Sequence, residues 1–284
     1  MSEEPKKFLL FRIDPRYLQM GLATTILVLG QFFHEILGGY PRLFIAIGAA
    51  LLTDLVCSQT VRGRWPNLAS GYISGISIVI LTKSTDILWP FAIGACISIL
   101  SKYVIAYKGR HLFNPTNFGL CVMLWTASSQ MALLSQQWGN SPGFLALIWA
   151  WGLFVVWRAG VMHVTLTYVA CFLILAYVRT FFTGNTFGNE AAPQTGPMQT
   201  LFMFFMITDP PTVVSRFWGR ILVVVLIALL ECVFRLQHIL HIPGIDFVLW
   251  APSMFALFFI GPIAKWIDLK YLGGFDRPRR VVRG

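Results

Sequence analysis

The chain has 284 residues, of which 56% are hydrophobic and only 12% are charged, and its formal net charge is +10. Its mean hydropathy is +0.68. Soluble domains usually carry about 25% charged residues, so this composition does not supply an ordinary solvated surface. It excludes a large soluble domain and indicates an integral membrane protein whose first partner is the lipid bilayer. The length allows about eight to ten spans of roughly 20 residues each.

The positive charge does not indicate nucleic-acid binding, because the basic residues are spread over short connections between apolar runs. A membrane protein whose cytoplasmic loops lie beside anionic lipid acquires the same excess. The five cysteines stand singly in apolar surroundings without metal-ligand spacing, which argues against a disulfide framework or a zinc site. A cysteine that helps a partner subunit ligate an iron–sulfur cluster stays as the alternative for one of them.

Ten apolar runs, each bounded by charged or turn residues, predict the membrane spans in chain order. The fifth and eighth runs are short for a full crossing of the bilayer. The runs cover residues 17–37, 43–57, 68–81, 87–105, 118–127, 144–156, 164–182, 198–207, 221–234 and 245–264. The fold class predicted from them is an all-α polytopic membrane protein with about ten transmembrane helices.

The distribution of Lys and Arg predicts the orientation of these spans. One side receives most of the basic residues of the connections and both basic termini, whereas the other receives only Arg42, Lys83, Arg179 and Arg235. Connections at residues 128–141 and 183–199, on that second side, contain no Lys or Arg. Because basic loops stay in the cytoplasm, we expect a multi-pass protein of the bacterial cytoplasmic membrane with both termini cytoplasmic.

A weak internal similarity predicts two repeats. Residues 78–83 resemble residues 204–209, and each stretch is followed by a long span and then by Asn114-Pro115 or Ala251-Pro252. Five spans per half would give the halves opposite orientations, an arrangement in which sites form at the repeat interface. We therefore expect one membrane domain of two inverted five-helix repeats, at about residues 12–130 and 142–265, followed by a basic cytoplasmic tail at 266–284.

Two polar strings, residues 109–117 and 208–212, abut the short runs and contain prolines that cannot continue a regular helix. At membrane depth, irregular backbone is tolerated only inside protein or beside a cavity. The strings and the next basic residue are therefore the candidate binding site. Its residues are Arg110, Asn114, Pro115, Thr116, Asn117, Thr208, Asp209, Thr212 and Arg220.

Each of these residues also has an ordinary structural interpretation. Asp209 beside Thr208 is an acceptor-rich pair that suits an amide-bearing ring or a cation, but an aspartate here also caps a helix or pairs with Arg220. Asn-Pro is a common turn and cap signal. No phosphate-binding loop, nucleophile elbow or dinucleotide fingerprint is present in the sequence. We predict neither a catalytic residue nor a metal site.

Three motifs in order carry a resemblance to a known family: residues 113–117, residues 205–212 and residues 219–221. They resemble the flavin-binding membrane subunits of ion-pumping redox complexes, the D subunit of the Rnf ferredoxin:NAD oxidoreductase and the B subunit of the sodium-translocating NADH:quinone reductase. The chain is still more similar to short relatives encoded with enediyne biosynthesis genes, which share an FNPTNF string and an MISDPKT string. The resemblance covers about residues 12–265.

This resemblance implies ten helices in two inverted repeats and flavins that relay electrons. Asn114-Pro115, Asp209-Pro210 and Gly219-Arg220 match the family's motifs residue by residue. The large-complex members attach FMN covalently to the last Thr of a Ser/Thr-Gly-Ala-Thr string between the fifth and sixth spans, and that string is missing here. Thr186 lies in a faintly similar stretch after the seventh span, which makes it the alternative covalent site.

The function expected from this resemblance is a membrane subunit that binds a flavin, FMN or riboflavin, non-covalently and exchanges electrons with redox partner subunits or a flavoprotein. Asn114 and Asn117 would contact the ring or ribityl chain, and Thr208 and Asp209 would act as acceptors. A secondary transporter or ion-translocating subunit that uses Asp209 is the first alternative. A structural subunit that has lost its cofactor is the second.

Overall fold

The computed structural model describes residues 15–84, 87–133, 142–209 and 211–272. Helices dominate these ranges. They are α1 (Pro15–His34), α2 (Tyr40–Arg62), α3 (Leu68–Leu81), α4 (Trp89–Val104), α5 (Pro115–Thr126), α6 (Pro142–Arg158), α7 (Met162–Thr183), α8 (Phe187–Ala191), α9 (Pro197–Leu201), a π-helix (Phe202–Met206), α10 (Phe217–Arg235), α11 (Gln237–Leu240) and α12 (Pro252–Tyr271). Two 3₁₀ turns cover Ala192–Thr195 and Asp246–Trp250.

The all-helical prediction is confirmed, and every predicted apolar run overlaps a helix. Four helices in the described ranges, α2, α7, α10 and α12, are long and apolar enough to cross a membrane. Three shorter apolar helices, α3, α4 and α6, accompany them. Large apolar side chains such as Phe44, Val56 and Phe181 are exposed on the long helices, as expected of surfaces that face lipid. The architecture is therefore compatible with a membrane protein.

Helix ends follow local sequence signals. Asn67 caps α3 by accepting a hydrogen bond from the backbone N–H of Ala69, and Asn114 caps α5 in the same way. Helices α2 and α7 end at Gly63 and Gly184, whose φ angles of 61° and 69° lie in the left-handed region that glycine adopts most easily.

Most helix contacts lie within one half of the chain. In the first half α1 packs on α3, α2 on α4, and α4 on α5. In the second half α6 packs on the π-helix, α7 on α10, and α10 on α12. Small residues allow the closest approaches: a Cβ on Gly119 would lie 2.6 Å from the carbonyl oxygen of Gly94, and one on Gly75 would lie 2.8 Å from Cα of Ile47. Such contacts are typical of helices that pack in membranes.

Two short ribbons tie connections together. Strands β1 (Thr82–Lys83) and β4 (Ala132–Leu133) pair antiparallel, so the connections after α3 and α5 lie at the same end of the bundle. Strands β2 (Ala106–Tyr107) and β3 (Arg110–His111) form a hairpin. Its turn residues Lys108 and Gly109 have φ angles of 50° and 73°, as a type I′ turn requires.

The last predicted run is corrected by the structure. Residues 245–264 were expected to form one span, but the chain breaks at Ala251 between a 3₁₀ turn and α12. The helix begins with Pro252 at its first position and continues to Tyr271. Lys265, which the sequence placed beyond the last span, therefore lies within α12 and is buried.

Candidate functional site

The two polar strings line one cavity. It lies at the end of the bundle where α5, α7 and α10 begin, which we call the proximal end; the end at which these helices finish is the distal end. The lining residues come from both strings and from four helices. They are Leu112, Phe113, Asn114, Asn117, Val164, Ile207, Thr212, Val213, Val214, Arg220, Val223, Val224, Ile227, Leu257, Gly261 and Pro262.

Asn114 and Asn117 have different roles in this cavity wall. The Asn114 Oδ1 atom accepts a hydrogen bond from the Asn117 backbone N–H at 3.0 Å, so Asn114 is the N-cap of α5. Asn117 donates from Nδ2 to the carbonyl oxygen of Met254 at 3.1 Å, which ties α5 to α12. Its Oδ1 atom is buried and has no hydrogen-bond partner within the described part of the chain. A buried acceptor of this kind calls for a donor from water or a ligand.

The other five candidates, Arg110 among them, do not line the cavity. Pro115 occupies the first position of α5, where a missing N–H costs nothing, and Thr116 beside it is buried. Thr208 is buried and donates from Oγ1 to the Phe204 carbonyl oxygen at 2.6 Å, a local bond on the π-helix. Asp209 lies just outside the lining. These residues shape the site's surroundings.

Asp209 organises the loop that follows the π-helix. Its carbonyl oxygen accepts hydrogen bonds from the backbone N–H groups of Thr212 and Val213, both at 3.0 Å. Its Oδ2 atom accepts from the Thr212 hydroxyl at 3.1 Å. The N-cap residue of α10 is Arg216, so the interpretation of Asp209 as the cap of that helix is wrong. Pro210 lies outside the described residues.

A buried lysine holds this loop against α12. The Nζ atom of Lys265 donates to the Val213 carbonyl oxygen at 2.7 Å and lies 3.8 Å from an Asp268 carboxylate oxygen. Asp268 in turn accepts from the backbone and hydroxyl of Ser215 at 3.0 and 2.7 Å. Arg220 donates from Nε to the Val214 carbonyl oxygen at 2.9 Å.

The proximal end carries a group of interacting charges. Arg110, Asp209, Arg220 and Asp268 all interact electrostatically with Lys265. Lys265 and these groups include three positive and two negative charges, so one positive charge is in excess. The sequence indicated Arg110, Asp209 and Arg220 but missed Lys265 and Asp268. The predicted last span ended at residue 264. If it had been extended to the observed end of α12, Lys265 and Asp268 would have stood out as charged residues inside a membrane helix.

The cavity is narrow as it stands. The lining residues surround about 500 Å³ of space that protein atoms do not fill, part of it open to the surroundings. The centre of a water molecule can occupy about 30 Å³ of it. Since one water needs roughly 10–15 Å³ by this measure, the enclosed room suits a few waters. A larger ligand requires side chains of the wall to move.

Thr186, the alternative covalent site, lies apart from the cavity. It is exposed, and it caps the short helix α8 by accepting a long hydrogen bond of 3.4 Å from the backbone N–H of Asn189. Val164 lines the cavity near the start of α7, and Thr186 follows the end of that helix. Val164 and Thr183 are 19 residue steps apart in α7, which corresponds to a distance of about 28 Å along the helix axis.

A second polar cluster, which the sequence did not indicate, lies at the distal end. We call Tyr168, Gln199, Glu231, Arg235 and Ser253 the distal network. Glu231 accepts hydrogen bonds from the Tyr168 hydroxyl, from Gln199 at 3.1 Å and from Arg235 at 2.8 Å. Gln199 also donates to Tyr168 and accepts from Arg235 and Ser253. A carboxylate within an apolar run was the signal available for this cluster.

No protein-family model matches the chain, and no curated protein matches it. In the described ranges, no group of three or more His, Cys, Asp or Glu side chains is arranged to hold a metal ion. The candidate site is therefore characterised by its own geometry: a mainly apolar cavity with Arg220 in its wall and an Asn117 amide oxygen that has no hydrogen-bond partner within the described ranges.

Proposed function

We propose that the chain is a multi-pass protein of the bacterial cytoplasmic membrane that binds a flavin non-covalently in the cavity and relays electrons to a redox partner subunit or flavoprotein. The observation that carries this proposal is the Oδ1 atom of Asn117, which is buried in the wall where both polar strings meet and has no hydrogen-bond partner among the residues that the structure describes. The absence of the Thr-containing flavinylation string from the sequence supports non-covalent binding.

The donor and acceptor set suits a flavin. The ring edge presents an N–H donor between two carbonyl acceptors, and the Asn117 oxygen is an acceptor that needs a donor. Val164, Ile227 and Leu257 supply the apolar walls that ligand pockets place against aromatic rings. When bound, the flavin supplies the redox chemistry, and the protein contributes position, hydrogen bonds and charge.

The charges favour an anionic ligand over a cation. Arg220 reaches the cavity wall, and the group around Lys265 has an excess positive charge. This surrounding attracts a phosphate such as that of FMN. A coupling cation at Asp209 would meet Lys265, Arg110 and Arg220, which repel it. The transporter alternative that uses Asp209 is therefore the less favoured proposal.

The space needed by the ring is larger than the enclosed room, so we propose that the wall opens on binding. Phe113, a cavity-lining residue of the first string, has its ring centroid 4.8 Å from that of Phe118 and 5.1 Å from that of Phe258. Aromatic contacts of this kind are worth about 0.5–1.5 kcal/mol each beyond burial. Movement of Phe113 is thus a small energetic cost for a ligand that fills the cavity.

We also propose that the two halves are inverted repeats of five spans each, with the proximal end cytoplasmic. Two helix pairs of the first half, α2 with α4 and α4 with α5, have extensively packed counterparts in the second half, α7 with α10 and α10 with α12, which supports this proposal. Helices α5 and α12 both begin with proline, and the Asn117 side chain bonds to Met254, which occupies the same position in α12. The chain thereby joins the two halves where their broken helices meet.

Absorbance and extraction test the proposal directly. The purified protein should show flavin absorption bands, and acid denaturation should release the flavin into the supernatant. A colourless preparation that does not take up added FMN would contradict flavin binding and favour a cofactor-less subunit. A fluorescent protein band that survives denaturing electrophoresis would contradict non-covalent attachment, and Thr186→Ala would then show whether Thr186 holds the flavin.

A further inference from the structure

We propose that Glu231 takes up a proton from the distal face when the ligand in the cavity is reduced, an inference that rests on the proposed flavin site. The Glu231 side chain is 1% exposed, and Glu231 is not one of the residues that line the cavity. An ionisable side chain buried at membrane depth is a functional candidate, because burying it without a role is costly.

The distal network lies close to the cavity on the same face of α10. Ile227 lines the cavity, and Glu231 follows it by four residues, which places the two about 6 Å apart along the helix axis. Of the three apolar residues between them, Ala228 is buried, Leu230 is part-buried and Leu229 is exposed. At this separation and in a medium of low dielectric constant, a negative charge that appears in the cavity attracts a compensating positive charge to the distal network.

A polar connection also joins the network to the cavity wall. Ser253 donates to the Gln199 side chain at 3.2 Å. The next residue, Met254, accepts the hydrogen bond from Asn117, whose oxygen is unpartnered in the wall. The distal network therefore contacts the start of α12, the same segment that holds the proposed ligand contact.

Arg235 gives the network its access to the distal face. Its side chain is 15% exposed, whereas that of Glu231 is 1% exposed. Arg235 donates to the same carboxylate oxygen from Nε at 2.9 Å and from Nη2 at 2.8 Å. The other carboxylate oxygen accepts from the Tyr168 hydroxyl. One oxygen thus accepts from part-exposed Arg235 and from buried Gln199, and the other accepts from the buried Tyr168 hydroxyl.

The charged and titratable groups around Glu231 are few in the described ranges. Arg235 and Cys232 lie on α10, and Tyr168 and Arg179 face it from α7. Glu190 pairs with Arg179 and does not contact Glu231 in the described part. The elements at this end also bring His238 on α11, which contacts the Arg235 carbonyl oxygen, and Asp246, which accepts from Gln237. Lys265 and Asp268 lie at the opposite end of α12.

The proposed step balances charge. The proposed redox partner donates one electron to the ligand, and a hydronium ion at the distal face gives up one proton, which adds to the Glu231 carboxylate; the products are water and a neutral carboxylic acid. Arg235 loses its anionic partner and keeps its positive charge. Protonation of Glu231 makes the net charge of the distal network more positive by one unit, and this change compensates the new negative charge in the cavity. The O–H bond of Glu231 is the one bond formed on the protein.

Infrared difference spectra of the intact protein in lipid nanodiscs, loaded with FMN and reduced with dithionite, test this step. We expect a protonated-carboxyl band on reduction in the wild type, its absence in Glu231→Gln, and its persistence in the matched control Glu190→Gln. Tyr168→Phe leaves the Glu231–Arg235 pair in place and should shift the band. The midpoint potential of the bound flavin should also vary less with pH in Glu231→Gln.

The outcomes separate the two proposals. If flavin is bound and the wild type shows no such band, or if Glu231→Gln keeps it, the proton step is wrong and the flavin site stands. If the protein binds no FMN, the proposed function fails and this inference fails with it. If Glu231→Gln does not fold, Tyr168→Phe decides: an unshifted band, or none, overturns the assignment to Glu231.

Discussion

The proximal cavity and the distal network differ in how their polar groups are satisfied. In the cavity wall the Asn117 oxygen has no partner in the described part, and loop backbone and side chains meet in a partly open space. In the distal network both carboxylate oxygens of Glu231 are hydrogen-bonded, and three helices supply the donors. A buried polar atom without a hydrogen-bond partner marks a place for a ligand. A fully hydrogen-bonded network of side chains holds helices together and responds to a nearby charge.

The largest effect on stability is expected at the distal network. Glu231→Ala removes the acceptor shared by Tyr168, Gln199 and Arg235 and leaves a part-buried guanidinium without its carboxylate partner. Breaking a buried ion pair in this way costs about 3–5 kcal/mol. Unfolding titrations in mixed micelles should show this loss. A cost below about 1 kcal/mol would mean that the network is not formed as described.

A smaller effect on stability, but a functional one, is expected at the proximal loop. In Asp209→Asn the side-chain oxygen can still accept from the Thr212 hydroxyl, so the loop should keep its fold. The charge group around Lys265 gains one net positive charge. We expect the bound flavin to become easier to reduce, with unfolding changed by less than about 1 kcal/mol.

Asp209→Ala is the matched comparison, because it removes both the charge and the acceptor. It should unfold earlier than Asp209→Asn while changing the potential in the same direction. If Asp209→Asn leaves flavin content and potential as in the wild type, Asp209 has only a structural role in the loop. The site would then reduce to Asn114, Asn117 and Arg220.

The smallest effect on stability is expected at Glu190, which lies in the short helix α8 of the distal connection after α7. Burial alone would raise the pKa of Glu190, but hydrogen bonds from Asn185, Arg179 and Thr183 together with the Arg179 charge outweigh it and lower that pKa below 4.5. Glu190 therefore stabilises the fold above its unfolded pKa, and this contribution is lost as the pH falls through its folded pKa. Unfolding measured between pH 7 and the acid range should show a loss that Glu190→Gln lacks. An identical acid dependence in both proteins would contradict this role.

The orientation of the chain across the membrane can be tested whether or not the protein binds a ligand. Asn189 is exposed after α7 at the distal end. In a background lacking the native cysteines, Asn189→Cys should react with a membrane-impermeant reagent added from outside the cell, because the proximal end is proposed to be cytoplasmic. Labelling from the cytoplasmic side alone would reverse the proposed topology.

The sequence predicted the helices well because apolar run length reflects burial in lipid or protein. Runs such as residues 68–81 coincide with the observed helix, and the polar strings pointed to segments that do line one cavity. The break at Ala251 was missed although Pro252 follows it, because a proline also occurs inside membrane helices, as Pro262 does within α12.

The distal network was missed for a different reason. Glu231, Tyr168 and Gln199 stand singly in separate apolar runs, and which of them meet depends on how each helix is rotated about its axis. That rotation is set by packing of whole helices, which single-sequence patterns do not determine. Lys265 was likewise assigned to a basic connection, because its burial depends on the loop from Val213 to Ser215 folding over α12.

The central claim is that Asn117 presents an unpartnered acceptor to a flavin. The most direct measurement is the dissociation constant of FMN for the detergent-purified protein and for Asn117→Leu, with Thr186→Ala as the control. Leu keeps the side-chain size and removes the acceptor, so the account predicts binding at least about tenfold weaker, which corresponds to about 1.4 kcal/mol. Thr186→Ala should bind as the wild type does. Equal affinity of Asn117→Leu and the wild type, with both proteins folded, would contradict the account.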